Sequence, residues 1–326
     1  MEYNRLGKTG LLVSELCLGT MTFGNEADEK TSQSLMEAAL EAKINFFDGA
    51  HNYNLGKTEE IVGRWIGPHR DQIILTSKVF FPAGGGMNDE GMSRRNLIRS
   101  VEKSLKRLQT DYIDIVYLHH WDENVVIEES MAAMNTLVEQ GKVHYVGVSN
   151  FSAWQTMRAQ AVSELRGFAP ISVVQPMYSL VKRQVEVEIM PMVDYEGFGL
   201  VPYNALGAGL LTGKYLEGGT GRLDEAAMYK QRYDNPQYVE ITKKFVASAK
   251  EKGVSPAALA LAWVNSHPLV TSAIFGARNL EQFTNTLTCL DHKLSLEARR
   301  EITALSVDPP RATDRESMDA MKQRGW

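Results

Sequence analysis

Short apolar runs alternate with amphipathic segments along the chain. Near-continuous apolar character over a few residues is typical of parallel strands covered on both faces. Apolar residues at helical spacing occupy the stretches between the runs, for example residues 31–42 and 93–108. The predicted strands are residues 16–19, 44–48, 73–78, 113–119, 143–149, 171–176, 198–203 and 270–275.

Residues typical of helix starts mark several of the predicted helices. Ser93 is a predicted N-cap for the helix over 93–108. Ser255 followed by Pro256 predicts an N-cap and a first helical residue. The segment 295–305 predicts a closing amphipathic helix.

Eight strands alternating with helices predict an α/β fold, a (β/α)8 TIM barrel, formed by residues 1–326 as a single domain. An open doubly wound sheet is the alternative, and eight consecutive units without a composition break favour the barrel. Residues 3–14 predict an N-terminal β-hairpin that closes the barrel bottom. The long interval before the last strand predicts an insertion between strand 7 and strand 8, around 205–235.

Composition narrows the classes of protein. The 326 residues carry a formal net charge of −5, which argues against a protein built mainly to bind nucleic acid. The two cysteines, Cys17 and Cys289, form no CxxC pair, so no disulfide framework or zinc ribbon is expected. No apolar run is long enough for a membrane helix, and the polar N-terminus does not resemble a signal peptide. We expect a cytoplasmic protein with no membrane or nucleic-acid partner, and oligomerisation stays open.

Polar residues end six of the predicted strands. The carboxyl ends of barrel strands converge on one pocket, where active sites of this fold lie. The sequence therefore predicts that these side chains meet. They are Asp48, Lys78, His119, the pair Ser149 and Asn150, Gln175 and Tyr203.

A carboxylate, an ammonium, an imidazole and a phenol together suit reduction of a carbonyl. Tyr53, five residues beyond Asp48, is the candidate phenol. A nearby ammonium favours the phenolate and lowers the phenol's pKa, and a carboxylate keeps the ammonium charged. A neutral imidazole can hydrogen-bond the substrate oxygen. This chemistry requires no metal.

Long ordered motifs give the chain a family resemblance. They are LGKTGLLVSELCLGTMTFG (6–24), FFDGAHNYNLGKTEEIVG (46–63), LTSK (75–78), SRRNLIRSVEKSLKRLQTDYIDIVYLHHWD (93–122), GKVHYVGVSNFS (141–152), VVQPMYS (173–179), VPYNALGAGLLTGKY (201–215) and FGARNLEQFTN (275–285). These motifs resemble the aldo-keto reductase superfamily, in the style of its bacterial and potassium-channel-β-like branch. The resemblance covers nearly the whole chain.

The resemblance implies a catalytic tetrad of Asp48, Tyr53, Lys78 and His119. Tyr53 is then the general acid for reduction, Lys78 and Asp48 tune it, and His119 orients the carbonyl. The implied cofactor is NADPH (NADP+), whose nicotinamide supplies hydride, and NADH is the less favoured choice because Arg278 suits a 2′-phosphate.

The resemblance also implies the cofactor contacts. Ser149, Asn150 and Gln175 would bind the nicotinamide carboxamide, and Tyr203 would stack on its ring. Asn204 to Lys214 would supply Lys214 and backbone donors to the pyrophosphate. The full implied set is Gly19, Thr20, Met21, Asp48, Ser149, Asn150, Gln175, Tyr203, Asn204, Leu206, Gly207, Gly209, Leu211, Lys214, Gly276, Arg278, Gln282 and Asn285.

The substrate is expected to be a small-molecule carbonyl compound bound in a partly apolar mouth. Its predicted lining consists of Phe23, Tyr53, Phe80, His119 and Trp121. His120 should face away from His119, because side chains alternate along a strand. Arg94, Arg95, Lys103, Lys106 and Arg107 are expected to form a solvated helix face.

Three positions depart from the family's usual residues, and two other functions stay open. Gly49 replaces the usual threonine, Asn204 a serine and Phe275 a proline, which bears on ligand affinity rather than on reaction class. The leading interpretation is an NADPH-dependent carbonyl reductase. One alternative is a slow or non-catalytic NADP(H)-sensing subunit, and the other is a Schiff-base aldolase on Lys78. The C-terminal tail 307–326, ending in Trp326, is expected to shape specificity or cover the barrel.

Overall fold

A computed structural model describes residues 1–225, 227–311 and 313. Eight parallel strands form the central sheet, in the order β10-β3-β4-β5-β6-β7-β8-β9, and a separate antiparallel pair is formed by β1 and β2. The strands are β1 Tyr3–Arg5, β2 Leu12–Ser14, β3 Leu16–Gly19, β4 Phe46–Asp48, β5 Ile74–Val79, β6 Ile113–Leu118, β7 Val143–Ser149, β8 Ile171–Gln175, β9 Gly199–Leu200 and β10 Ala273–Phe275.

Helices follow the strands and cover the outside of the sheet. They are α1 Glu29–Glu41, α2 Lys57–Ile66, α3 Arg94–Leu108, α4 Ile127–Glu139, α5 Ala153–Arg166, α6 Ile189–Glu196, α7 Arg222–Glu225, α8 Ala227–Tyr233, α9 Pro236–Glu251, α10 Pro256–Asn265, α11 Leu280–Leu287 and α12 Leu296–Thr303. Ser93 caps α3 and Ser255 caps α10, as predicted. Within the predicted C-terminal tail 307–326, residue 312 and residues 314–326, including Trp326, lie outside the described residues.

The sheet closes on itself, so the predicted (β/α)8 barrel is confirmed. The amide of Ile274 in β10 donates to the carbonyl of Pro202, at 3.0 Å, just beyond β9. The amide of Thr271 donates to Leu200 at 2.8 Å. These bonds join the two ends of the strand order and leave no open edge.

Alternation along each strand separates an inner core from an outer one. Phe46 points into the barrel and joins Cys17, Ile115 and Tyr117, whereas Phe47 packs outward against the helices. Gly147 of β7 makes room for the inner layer, because a Cβ there would lie 2.5 Å from the Tyr117 ring. The strands therefore present one side chain in two to the barrel axis.

The N-terminal hairpin closes the bottom of the barrel. Its residues Leu6 and Val13 are fully buried and belong to the inner core. Gly199 at the start of β9 admits Leu6, since a Cβ there would lie 2.7 Å from a Leu6 methyl group. With the bottom closed, access to the interior is from the strands' carboxyl ends.

The predicted insertion before the last strand contains short helices. Between β9 and β10 the chain forms α7 and α8 ahead of the barrel helices α9 and α10. The hydroxyl of Tyr233, at the end of α8, accepts a 2.6 Å hydrogen bond from the side-chain Nδ2 of Asn204. The insertion is thus fastened to the loop that leaves β9.

Candidate active site

The polar strand ends meet inside the top of the barrel. Asp48 lies beside Gly19 and Thr76 in register, and Ser149 lies beside Gln175. Asp48, Lys78 and His119 are all buried. The barrel therefore brings these polar side chains together, as the strand pattern predicted.

The carboxylate of Asp48 is fully hydrogen-bonded. Its Oδ2 accepts from Lys78 Nζ at 2.6 Å. Its Oδ1 accepts from Thr76 Oγ1 at 2.9 Å and from Gln175 Nε2 at 2.8 Å. Three donors therefore stabilise a buried negative charge and fix its orientation. Thr76 was not among the predicted site residues, although it occupies an inward position on β5.

Lys78 uses its three ammonium protons within the site. Besides Asp48, Nζ donates to the carbonyl of Gly49 at 2.7 Å and to the phenol oxygen of Tyr53 at 3.3 Å. Burial alone would lower the pKa of Lys78, but the negative charge of Asp48, with Tyr53, raises it above 10.5. A lysine held charged is not an amine nucleophile, so the geometry does not favour the Schiff-base alternative.

Tyr53 enters the site from the loop between β4 and α2. Burial raises the pKa of Tyr53 above its ordinary value of 10.0, against the lowering influence of Lys78. The lowering expected from the ammonium is present but is smaller than the effect of burial. The phenol therefore keeps its proton at neutral pH and can act as an acid.

His119 faces Tyr53 across the site. The two ring centroids are 6.4 Å apart, and the rings are nearly perpendicular. Burial lowers the pKa of His119 well below 6.5, and the charge of Lys78 adds to that effect, so the imidazole is neutral. Its Nδ1 is buried and has no hydrogen-bond partner among the described residues. His120 is exposed. Both histidines follow the end of β6 at Leu118, and both rings lie near Phe81, so strand alternation does not describe their arrangement.

The loop that carries Tyr53 is fastened on two sides. Asn54 Nδ2 donates to the carbonyl of Phe23 at 2.7 Å and to that of Met21 at 3.3 Å. Asn54 and Leu55 both have positive φ, of 47° and 56°. Such backbone is costly for non-glycine residues and recurs at functional sites.

Arg107 fastens the other side of the loop, which corrects its predicted place on a solvated face. Its guanidinium donates to the carbonyl of His51 at 3.3 Å and pairs with buried Glu59 at 2.7 Å. Glu59 also accepts from Ser77, the residue before Lys78, at 2.7 Å. Arg107 is the last basic residue of α3 and points inward, a direction that a run of charges does not specify.

The far wall of the site offers amide and phenol groups. Asn150 Nδ2 donates to the carbonyl of His119 at 2.9 Å, and Tyr203 donates its hydroxyl proton to Asn150 Oδ1 at 2.7 Å. Ser149 Oγ donates to the carbonyl of Gln175 at 2.9 Å. Asn150 is exposed at the mouth. These groups suit a planar carboxamide-bearing ring beside Tyr203.

The loop after β9 differs from its predicted role in one respect. The amides of Gly207, Gly209 and Leu211 donate to carbonyls within the loop. They are therefore not free pyrophosphate donors in this conformation, because the tight turn uses them. Asn204, the unusual residue, accepts from the amide of Ala208 at 2.8 Å and so shapes that turn. Lys214 Nζ donates to the carbonyl of Thr220 at 2.9 Å.

The residues predicted to hold the cofactor, from Tyr203 to Arg278, continue past this loop to the exposed start of α11 and are called the groove residues. Gly276, Gln282 and Asn285 are exposed, and Arg278 is partly so. Gln282 accepts from the amide of Arg278 at 3.1 Å, so its carbonyl is used locally. Aromatic, amide and cationic groups thus occur in this part of the chain between Tyr203 and Asn285. This donor set fits the ring, phosphate and adenosine parts of a dinucleotide.

The predicted substrate lining needs two corrections. Phe23 is completely buried in the outer core, so it cannot contact a ligand in this conformation. Phe81, which was not predicted, lies edge-on to His119 with centroids 5.1 Å apart, whereas Phe80 packs on Phe81 and His120. Trp121 contacts Phe151 and lines a cavity of about 250 Å³ whose lining includes none of the four predicted catalytic residues.

The described residues contain neither a metal-binding cluster nor a membrane-spanning helix. Within residues 1–225, 227–311 and 313, no group of three or more His, Cys, Asp or Glu could hold a metal ion. Among the helices in this part of the chain, none has both the length and the apolar character needed to cross a bilayer.

Comparisons with known proteins agree on one family. A sequence model of the Aldo/keto reductase family matches residues 15–307. The chain is 39% identical to "Uncharacterized oxidoreductase YrpG" of Bacillus subtilis, over 95% of this chain and 97% of that protein. It is 37% identical to a rice "Probable voltage-gated potassium channel subunit beta", over 96% and 99%. It is 35% identical to "Norsolorinic acid reductase A" of Aspergillus parasiticus, over 93% and 80%.

Proposed function

The chain belongs to the aldo/keto reductase family, and from this premise we propose that it is an oxidoreductase that reduces an aldehyde or ketone, in some cases sugar-like, to the alcohol with NADPH. Tyr53 acts as the general acid, and Asp48, Lys78 and His119 support it. The observation that carries the proposal is the buried chain of contacts from Asp48 through Lys78 to the phenol of Tyr53.

The four residues have different roles in the proposed reaction, and the charge of each determines its role. Tyr53 donates its phenolic proton to the carbonyl oxygen as that oxygen gains electron density. Lys78, which already donates to the phenol oxygen, stabilises the phenolate that remains, and Asp48 keeps Lys78 charged and oriented. Neutral His119 hydrogen-bonds the same carbonyl oxygen and aligns it with the phenol. A bound nicotinamide cofactor supplies the hydride.

The groove residues hold the cofactor in this proposal. Asn150 and Tyr203 hold the nicotinamide end, Lys214 contacts the phosphates, and Arg278 binds the adenosine end. Preference for NADPH over NADH rests on the guanidinium of Arg278, which can bind a 2′-phosphate through two parallel hydrogen bonds. We place the protein in the cytoplasm, where its two free, buried cysteines stay reduced.

Steady-state oxidation of NADPH with 4-nitrobenzaldehyde tests the proposal. We expect turnover above about 1 s⁻¹, the lower range of ordinary enzymes, with formation of 4-nitrobenzyl alcohol. A panel of ketones and sugars then defines the substrate. If the protein binds no cofactor, the residues proposed to hold the cofactor are wrongly assigned.

A second candidate is a slow or non-catalytic NADP(H)-sensing subunit. The names of the rice and Arabidopsis relatives, probable voltage-gated potassium channel subunits beta, favour it. The same experiment separates the two functions. Tight NADPH binding without turnover on any carbonyl of the panel would favour the sensor.

A further inference from the structure

Glu26 lies between two arginines at the adenosine end of the groove. Its Oε1 is 3.5 Å from a guanidinium nitrogen of Arg278, on the β10–α11 loop. The same oxygen is 3.7 Å from a guanidinium nitrogen of Arg222, in α7 of the insertion. One carboxylate is thus shared by two cations that come from different parts of the chain.

The backbone keeps Glu26 at this place. Its loop, between β3 and α1, is anchored by buried Phe23, and Thr22 Oγ1 donates to the carbonyl of Ala277 at 2.8 Å. Ala277 directly precedes Arg278. Because the two loops are joined next to the ion pair, the carboxylate and the guanidinium stay close. The fold therefore holds the two loops, and with them the two side chains, next to each other.

We infer that Glu26 sets the cofactor preference of this protein by competing with the 2′-phosphate for Arg278. The inference rests on the proposed function, in which Arg278 binds that phosphate. A carboxylate 3.5 Å from the guanidinium offsets part of its positive charge and repels a second anion. A ribose 2′-hydroxyl meets no such repulsion and can donate to a carboxylate, as in sites that bind NAD. Glu26 therefore narrows the preference for NADPH that Arg278 alone would give.

Isothermal titration of the purified protein with 2′,5′-ADP and 5′-AMP measures this effect without turnover. These probes carry the adenosine end of NADPH and of NADH, respectively. In Glu26→Gln we expect 2′,5′-ADP to bind about tenfold tighter, while the Kd of 5′-AMP changes less than about twofold. The gain should shrink at high salt, because the groups are partly exposed.

Two further variants make the test specific. Glu29→Gln is the matched control, since Glu29 lies three residues away and pairs with Arg64 at 2.7 Å. It should leave both Kd values unchanged. In an Arg278→Gln background the effect of Glu26→Gln on 2′,5′-ADP should fall below about twofold, because the competed group is gone.

Other outcomes would overturn the inference. Equal changes for both probes in Glu26→Gln would show a general effect on the groove, and no change would show that Glu26 does not compete. In both cases the proposed function stands, because the wild type still binds the probes. Wild-type protein that binds neither probe nor NADPH would overturn the groove assignment, and the inference with it.

Discussion

The phenol of Tyr53 is subject to two opposing influences. Burial raises its pKa, and the ammonium of Lys78, 3.3 Å from its oxygen, lowers it. Burial prevails, so the proton remains on the phenol until a reaction draws it away. Neutral His119 adds no competing positive charge beside the phenol. The site is therefore arranged for donating a proton rather than for accepting one.

The pKa directions predict a flat pH profile for reduction. The active form has Tyr53 protonated, and this form is lost only as pH rises through a pKa above 10.0. It also has His119 neutral, and this form is lost only as pH falls through a pKa well below 6.5. We expect kcat/KM to be constant between these two limits. A titration of kcat/KM from acid to alkaline buffers measures it, and a decline centred near pH 8 would contradict the electrostatic argument.

At single positions, the sequence identified the charged residues of the site better than the neutral residues beside them. Asp48 and Lys78 are recognisable because an ionisable side chain at the end of a buried strand is unusual. Thr76 is common in strands, and nothing in its type shows that it donates to Asp48. Phe80 and Phe81 are adjacent aromatics, and only the backbone beyond β5 determines which of them meets His119.

Among the elements, the loop from β4 to α2 is the one on which catalysis depends. It places Tyr53 immediately before two residues with positive φ, and Asn54 and Arg107 fasten it to neighbouring elements. A loop held in costly backbone geometry needs such contacts. The position of the phenol thus depends on groups that do not touch the substrate.

Removing the amide of Asn54 should impair catalysis more than cofactor binding. In Asn54→Gly the backbone still accepts its φ of 47°, but the bonds to Phe23 and Met21 are lost. We expect kcat to fall about tenfold, because a small displacement of a reacting group is costly, with the Kd of NADPH changed less than about twofold. Steady-state kinetics and fluorescence titration provide the two values.

Asn54→Ala separates strain from hydrogen bonding. It loses the same hydrogen bonds as Asn54→Gly, but its Cβ makes the positive φ costly. Its free energy of unfolding should therefore be about 1 kcal/mol lower than that of Asn54→Gly. If both variants keep the wild-type kcat, Asn54 does not position Tyr53.

Element types were predictable from the sequence, and some element ends were not. The predicted run 16–19 coincides with β3, and 143–149 coincides with β7. The run 198–203 yields only Gly199–Leu200 as a strand. Single hydrogen bonds to the β8 side continue beyond it, because the amides of Val201 and Tyr203 donate to the carbonyls of Val174 and Pro176. Pro202 faces β10 instead, where it has no amide proton to donate but accepts from Ile274. Apolar character marks a buried segment but not where its hydrogen bonds end.

At the scale of the whole molecule, the barrel is closed at one end and chemically active at the other. The hairpin residues Leu6 and Val13 fill the bottom of the inner core, and the polar strand ends lie at the top. Between them lies an apolar layer that includes Phe46 and Tyr117. The residues that stabilise the barrel and the residues that carry out the chemistry therefore lie at opposite ends of the same strands, as is typical of this fold.

This division predicts that the hairpin can be weakened without changing the chemistry. Leu6→Ala should lower the free energy of unfolding by about 2–5 kcal/mol, because it leaves a cavity in a fully buried site. Leu12→Ala is the matched control, since Leu12 is 51% exposed on the same hairpin and should cost less than about 0.5 kcal/mol. Urea unfolding measures both. Equal effects in the two variants, or a large loss of kcat in folded Leu6→Ala, would contradict the assignment.

The most direct test of the central claim compares Tyr53→Phe with wild type in NADPH-dependent reduction of 4-nitrobenzaldehyde, with NADPH binding measured on the same preparations. Tyr195→Phe, at a tyrosine that is 86% exposed, is the control for losing a phenolic hydroxyl. If Tyr53 is the acid, its variant should lose about 10²–10⁴-fold in kcat and still bind NADPH, and the control should match wild type. Turnover by Tyr53→Phe within about threefold of wild type, at equal cofactor binding, would show that the proton comes from another group.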